Sequence, residues 1–100
     1  MSRQSSSDLL SFSRALADET RQEIMRLTCC RWRSVGELAE ELGLSQPTVS
    51  HHLAVLREAR LVLVRPEGRQ TFYTLDQHRV ALCCGRLALR YAPEVAETSS

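Results

Sequence analysis

The cysteines are the first residues whose types and spacing could do chemistry. They stand in two adjacent pairs, Cys29 with Cys30 and Cys83 with Cys84. Three or four thiolates in an apolar site favour soft, thiophilic ions: arsenite (As(III)), antimonite, Hg(II), Cd(II), Pb(II) or Cu(I). Neither pair has the CxxC spacing of a zinc ribbon, and a cytoplasmic chain is not expected to use its cysteines as a disulfide framework. The structural alternative is that they are small buried hydrophobic residues, since cysteine is among the most buried residue types.

A run of short polar residues is the second such set. Projecting residues 45–59 on the helical period of about 3.6 puts Val49, Leu53 and Leu56 on the inner side, with His52 beside them. His52 is therefore expected to pack or hydrogen-bond inside the domain. Glutamine can pair with adenine, serine and threonine can reach base edges or phosphates, and histidine can do either. The residues of this helix expected to contact DNA are Ser45, Gln46, Thr48, Ser50 and His51.

Three more polar residues accompany a predicted β-hairpin. The β-prone runs 61–65 and 70–75 flank Pro66, Glu67 and Gly68, which together are a turn signal. A hairpin that follows a DNA-reading helix is a wing. Arginine at a wing tip can bind phosphate or enter the minor groove, where the potential is more negative. The expected wing contacts are Arg65, Arg69 and Gln70.

The elements that must position these residues are helices with clear start and stop signals. The predicted helices cover about residues 8–17, 20–31, 35–42, 45–59 and 77–91. Ser34 and Glu37 have capping-box spacing, and Gly43 stands where a helix needs a left-handed C-terminal residue. Ser45 can cap the next helix. The fold class is thus mostly α with a β-hairpin wing: a winged helix-turn-helix of five helices.

Length and composition bound the remaining possibilities. The chain of 100 residues predicts a domain at 8–92 between flexible tails at 1–7 and 93–100. No apolar run suits a membrane span or a signal peptide, so a cytoplasmic location without membrane contact is expected. No enzyme is expected, because Ser50 and His51 point about 100° apart on a helix and no Gly-rich phosphate loop is present. A protein-interaction module built on a winged helix is the other binding class, and salt-insensitivity towards DNA would distinguish it.

Several sequence strings together resemble one family. They are 16–21 (LADETR), 35–39 (VGELA), 45–53 (SQPTVSHHL) and 68–73 (GRQTFY). In combination they closely resemble the ArsR/SmtB metal-sensing winged helix-turn-helix repressors, over nearly all of residues 15–91. The resemblance implies a homodimer through the first and last helices, which an inducer releases from double-stranded operator DNA. The two recognition helices would then meet half-sites about 34 Å apart.

The family's sensor sites are only partly matched. One site uses a Cys-Val-Cys-type motif at the start of the helix-turn-helix, where residues 33–36 of this chain have no cysteine. Another, for zinc, begins Asp-x-His, which Asp76 and His78 match, but its second half falls at Leu89 and Ala92, which cannot ligate zinc. The resemblance therefore leaves the cysteine pairs as the predicted sensor, with As(III), Cd(II), Pb(II) or Hg(II) as inducer. The alternatives are persulfide or oxidant sensing through one cysteine on each helix, structural cysteines, and a non-cysteine zinc or nickel site.

Overall fold

The computed structural model describes residues 3–98, and the side chains of residues 8–96. This part of the chain contains six helices and a three-stranded antiparallel sheet. The elements are α1 (Arg3–Leu16), α2 (Glu19–Thr28), β1 (Arg33–Ser34), α3 (Val35–Leu42), α4 (Gln46–Glu58), β2 (Val62–Glu67), β3 (Gln70–Leu75), α5 (Gln77–Tyr91) and α6 (Pro93–Thr98). The winged helix-turn-helix predicted from the sequence is confirmed: α3 and α4 form the helix-turn-helix, and β2 and β3 form the wing.

Local capping signals set the ends of α3 and α4. The Ser34 hydroxyl accepts from the Glu37 amide at 3.1 Å, and the Glu37 carboxylate accepts from the Ser34 amide at 2.8 Å. Gly43 ends α3 in the left-handed conformation, with φ of 67°. The Ser45 hydroxyl accepts from the Thr48 amide at 3.3 Å and so caps α4. Each of these caps was predicted from residue type and spacing, and each is confirmed.

Arg21 joins α1, α2 and α4 through its guanidinium group. It donates to the carbonyl oxygens of Ala15 at 3.0 Å and Arg14 at 2.7 Å, where α1 ends. A third contact, of 3.2 Å, reaches Nδ1 of His52 on α4. The expectation that His52 hydrogen-bonds inside the domain is confirmed. Arg21 thereby links the end of α1 to the middle of α4.

The core lies where α4 crosses the other helices. Val49, Leu53 and Leu56 are buried along one side of α4, as the helical projection predicted. They pack in one cluster with fully buried side chains from α1, α2, α3 and the segment before β2: Phe12, Ile24, Leu38 and Leu61. Because one face of α4 is used entirely for packing, its opposite face is left for polar side chains.

The sheet contains a strand that the sequence did not indicate. β2 and β3 pair from Val62 opposite Leu75 to Glu67 opposite Gln70, and Gly68 in the turn has φ of 64°. The extra strand, β1, pairs Arg33 with Tyr73 and Ser34 with Phe72. With only two residues, β1 has no periodicity to detect, and its pairing depends on the distant strand β3.

The ends of the chain are more helical than predicted, which gives six helices instead of five. Helix α1 starts at Arg3 instead of about residue 8, because extending an existing helix avoids the cost of nucleation. Helix α6 occupies residues predicted as a loose tail, since Pro93 is tolerated at a first helical position. Flexible tails at 1–7 and 93–100 remain a prediction, and residues 1, 2, 99 and 100 of those tails lie outside the described residues.

Helix α5 turns a different cysteine inwards from the one expected. The sequence pattern placed Cys84 with Val80, Leu87 and Tyr91 on one face, whereas the structure buries Cys83 and leaves Cys84 exposed. Spacings of three and four residues both return to the same side of a helix, so the apolar pattern alone did not decide between the neighbours. Among the described residues, no helix is both long and apolar enough to cross a membrane.

Candidate nucleic-acid interface and cysteine pairs

The N-terminal turns of α4 present the polar residues that the sequence selected. Gln46, Thr48, Ser50 and His51 are all exposed. Ser45 precedes them as the N-cap, and its hydroxyl lies 2.8 Å from the Thr48 hydroxyl. These two hydroxyls therefore stabilise the first turn of the helix as well as facing outwards.

The wing tip and α4 meet at a shared groove. Gln46 and Ser50 from α4 line it together with Arg69 and Gln70 from the wing, and its volume is about 300 Å³. The N-terminus of α3 forms its floor through Ser34, Val35 and Gly36, together with Thr71 of β3. Half of the eight predicted DNA contacts thus come together, although Arg69 and Gln70 lie 11 and 12 residues beyond the end of α4 in the chain.

Arg65, another predicted DNA contact, is held by its neighbours. Its guanidinium carbon lies 4.4 Å from the ring centroid of Trp32, and its Nε lies 3.4 Å from a carboxylate oxygen of Glu67. Within the described residues Arg69 has no comparable ion pair or stacking contact. The two wing arginines therefore differ: Arg69 is presented at the tip, while Arg65 is engaged along the strand.

Cys29 and Cys30 form a close pair just after α2 ends. Their sulfur atoms are 3.7 Å apart, both side chains are exposed, and Gln77 Nε2 donates to the Cys30 sulfur at 3.2 Å. Cys30 has a left-handed backbone, with φ of 68°. The hydrogen bond with Cys30 and, secondarily, partial desolvation raise the pKa of the Cys29 thiol. The protonated thiol is thus favoured there at neutral pH.

The second pair is divided between the core and the surface. Cys83 is 2% exposed, and burial raises the pKa of its thiol, whereas Cys84 points outwards. In the part of the chain that the structure describes, no group of three or more cysteine, histidine, aspartate and glutamate residues is placed to hold a metal ion. The four cysteines proposed as one sensor are therefore not assembled into a single cluster within one chain.

The half-matched zinc motif has a structural use. Asp76 is the N-cap of α5 and accepts from the Arg79 amide at 3.1 Å. His78 is exposed, and both residues border an open groove beside Leu63 and Ala81. The Asp76 carboxylate thus already has a hydrogen-bonding role without any metal.

Known proteins provide independent comparisons. The family model described as "Bacterial regulatory protein, arsR family" matches residues 18–63. The regulator KmtR of Mycobacterium tuberculosis is 48% identical over 67 residues, which are 67% of this chain and 52% of KmtR. A probable mercury resistance operon repressor of Streptomyces lividans is 39% identical over 70 residues, 70% of this chain and 56% of that protein. This chain thus spans only about half the length of these relatives.

A solved structure gives fuller coverage. Reduced HlyU from Vibrio cholerae is 37% identical, with a TM-score of 0.68, over 87% of this chain and 92% of that one. The chain belongs to the arsR family. The matched residues of this arsR-family chain run from the Asp18 cap to Leu63, so they include the Arg21–His52 contact and all of α4.

Outside the matched segment, α1 and α5 carry an uncovered apolar surface. Leu9, Leu10, Leu87 and Tyr91 border a groove of about 310 Å³ between the two helices. Leu10 is 66% exposed and Tyr91 69% exposed. The arsR-family chain therefore has exposed apolar side chains on the two helices where the sequence predicts a dimer interface.

Two residues that position the site were missed from the sequence. The three contacts of Arg21 with α1 and α4 have no local sequence signature, because their partners lie 6, 7 and 31 residues away. The role of Trp32 cannot be predicted locally, because its partner Arg65 is on β2, which β3 separates from β1. One feature of the sequence could have indicated a role for Trp32: it is the chain's single tryptophan and lies between the end of α2 and the helix-turn-helix.

Proposed function

We propose that this arsR-family chain is a sequence-specific, DNA-binding transcriptional repressor that works in the cytoplasm as a homodimer. The groove shared by α4 and the wing tip carries this proposal. It offers exposed amide, hydroxyl and guanidinium groups next to a helix N-terminus, where the peptide dipoles favour phosphate. Members of the winged helix-turn-helix class use such a helix in the major groove and a wing beside it.

Within this proposal the polar residues divide their roles. Gln46, Ser50 and His51 reach base edges from the first turns of α4, and Thr48 and Ser45 lie close enough to share phosphate contacts. Arg69 and Gln70 extend the contact from the wing tip. Arg65 holds the wing through Trp32 and contributes its positive charge along the strand.

The homodimer is supported by the apolar surface on α1 and α5. A chain of this size buries a modest core, and pairing two copies adds apolar burial. A two-fold arrangement through these helices presents two α4 helices to a palindromic operator. The groove lined by Leu9, Leu10, Leu87 and Tyr91 is where a second copy of the chain would pack.

The inducer in this proposal is a thiophilic ion, of the set As(III), Cd(II), Pb(II) and Hg(II), bound through cysteine thiolates. The exposed Cys29–Cys30 pair is the observation in its favour, and a relative named as a probable mercury resistance operon repressor points to the same ion class. Oxidation or persulfidation of the same thiols is the second candidate, because the Cys29 and Cys30 sulfurs are already 3.7 Å apart.

Selection of duplexes from a random library, followed by affinity measurements, tests the DNA-binding role. The triple variant Gln46→Ala, His51→Ala, Arg69→Ala should weaken binding to the selected duplex by at least 100-fold, since each lost contact costs about 1–3 kcal/mol. Arg26→Ala is the matched control. It removes the same charge as Arg69→Ala from an exposed position on α2, where the guanidinium pairs with Glu23. Equal affinities of the wild type and the triple variant would refute the proposed interface.

A further inference from the structure

We infer that Cys29 and Cys30 alone form a two-thiolate site for a trivalent oxyacid such as arsenite, and that its occupation acts on the wing through Trp32. This inference rests on the proposed function and specifies which thiols sense and how the signal reaches DNA. It rests on three observations: the sulfur pair, the attachments around it, and the Trp32–Arg65 stack.

The geometry separates this pair from the one on α5. Adjacent residues within a helix point about 100° apart, so Cys83 and Cys84 face the core and the solvent respectively. Cys29 and Cys30 lie where the helix ends, and the left-handed backbone of Cys30 brings the two sulfurs to 3.7 Å. Only the exposed pair is therefore accessible to a ligand that needs two sulfurs at once.

The reaction with arsenite balances without a redox partner. Two As–O bonds of As(OH)₃ and two S–H bonds break, while two As–S bonds form. The two hydroxide groups leave with the two thiol protons as two water molecules, and arsenic stays trivalent. Neither electrons nor net protons are exchanged with the solvent, so the step needs only the protein and arsenite.

The residues on either side of the Cys29–Cys30 pair contact the wing. The carbonyl oxygen of Thr28, directly before the pair, accepts from the Thr74 hydroxyl of β3 at 3.0 Å. Trp32 follows Cys30 by two residues, and its ring is covered by the Arg65 guanidinium of β2. Since β1 begins at Arg33, only two residues connect Cys30 to the sheet, and a segment this short allows little independent movement.

This Trp32–Arg65 contact spans the sheet. β3 lies between β1 and β2, so the stack crosses it and links the α2 terminus to the far strand of the wing. Arg69, at the tip, follows Arg65 by four residues. Bridging the two sulfurs restricts the backbone of Cys29 and Cys30, which displaces Trp32 and releases Arg65. The wing then loses the support that holds its tip beside α4.

Two readouts test the inference in the full-length protein. One is affinity for the selected duplex, and the other is the emission of Trp32, which is the chain's only tryptophan and so reports this position alone. Arsenite is titrated with a phosphine as reductant, because dithiol reductants compete for arsenic. We expect arsenite to change Trp32 emission in the wild type and to weaken DNA binding at least tenfold.

Four variants test which residues the response to arsenite requires. The double variant Cys29→Ser, Cys30→Ser should lose both responses, whereas the matched control Cys84→Ser should keep both. Trp32→Leu and Arg65→Gln should bind DNA more weakly than the wild type, by about two- to fivefold for the lost stack. Arsenite should weaken the DNA binding of these two variants by less than a further twofold. Arg65→Gln keeps Trp32, so its tryptophan emission still reports arsenite binding.

The outcomes distinguish this inference from the proposed function. If arsenite weakens DNA binding equally in the wild type, Trp32→Leu and Arg65→Gln, the route through Trp32 is wrong. A response that needs Cys84, or wild-type DNA affinity unchanged by arsenite, overturns the site while leaving DNA binding intact. If the arsenite-free protein binds no duplex, the proposed function fails. The emission of Trp32 then still tests the thiol site, and an emission that arsenite leaves unchanged would overturn that site.

Discussion

Replacing Arg21 with methionine tests how α4 is held on the scaffold. Arg21→Met keeps much of the side-chain volume but removes the donors to Ala15, Arg14 and His52. The Arg21 side chain is only 12% exposed, so water does not readily replace the bonds to Ala15 and His52. Hydrogen bonds from a charged donor contribute about 1.5–3 kcal/mol each.

Two of the three Arg21 contacts carry most of the expected cost. The bonds to the Ala15 carbonyl and to His52 are partly buried, while the bond to the Arg14 carbonyl is exposed. We therefore expect Arg21→Met to lower the free energy of unfolding by about 3 kcal/mol, taking the lower end of the range for each of the two partly buried bonds. Lysine at this position should recover part of the loss, because it keeps the charge but not the fork of donors.

Urea unfolding at one fixed protomer concentration measures the loss, since the stability of the proposed dimer would depend on concentration. Arg26→Met is the matched control on the same helix. Its side chain is 69% exposed and pairs with the exposed Glu23, so its removal should leave the free energy of unfolding nearly unchanged. Equal losses for Arg21→Met and Arg26→Met would refute the assignment of Arg21 as the link between the helices.

Three further predictions address the core, the thiols and the dimer. Cys83→Ser should cost about 1–3 kcal/mol of unfolding free energy in urea unfolding, because it buries a hydroxyl group. Cys29→Ser, at an exposed site, should leave the unfolding free energy nearly unchanged. Cd(II) affinity, measured by calorimetry, should rise at least about tenfold per pH unit from pH 6 to 8. The reason is that the Cys29 thiol, whose pKa is raised, must lose its proton when it binds the ion. A Cd(II) affinity that does not change with pH would exclude Cys29 as a ligand. Leu10→Asp should raise the dimer dissociation constant by at least about 30-fold in sedimentation equilibrium, since a two-fold interface contains the substitution twice. Leu63→Asp on the wing is the control and should leave this constant unchanged.

The parts of the fold with local signals were predictable from the sequence. The Ser34–Glu37 capping box, Gly43 and the Ser45 cap each depend on residues within one helical turn, so residue type and spacing were sufficient. The buried side of α4 followed from its periodicity for the same reason. These elements place Gln46 and Ser50 at the surface.

The features that were missed depend on distant partners. Strand β1 exists only because β3 pairs with it, and Trp32 acquires a role only because Arg65 crosses the sheet to cover it. On α5 the apolar pattern allowed either cysteine to face inwards, and packing against the core selected Cys83. The sequence therefore shows that the cysteines stand in adjacent pairs, whereas the separate positions of the two pairs follow only from the tertiary structure.

The salt dependence of duplex affinity tests the central claim most directly. A winged helix-turn-helix dimer that sets Arg69 and the α4 N-termini against phosphates displaces counterions, and each neutralised phosphate contributes about −0.9 to the slope of log K against log salt concentration. For the selected duplex we predict a slope of about −4 or steeper between 50 and 200 mM salt, as expected for roughly five phosphates. A slope near zero, or no measurable duplex binding at the lowest salt concentration, would contradict the account and favour a protein-interaction module.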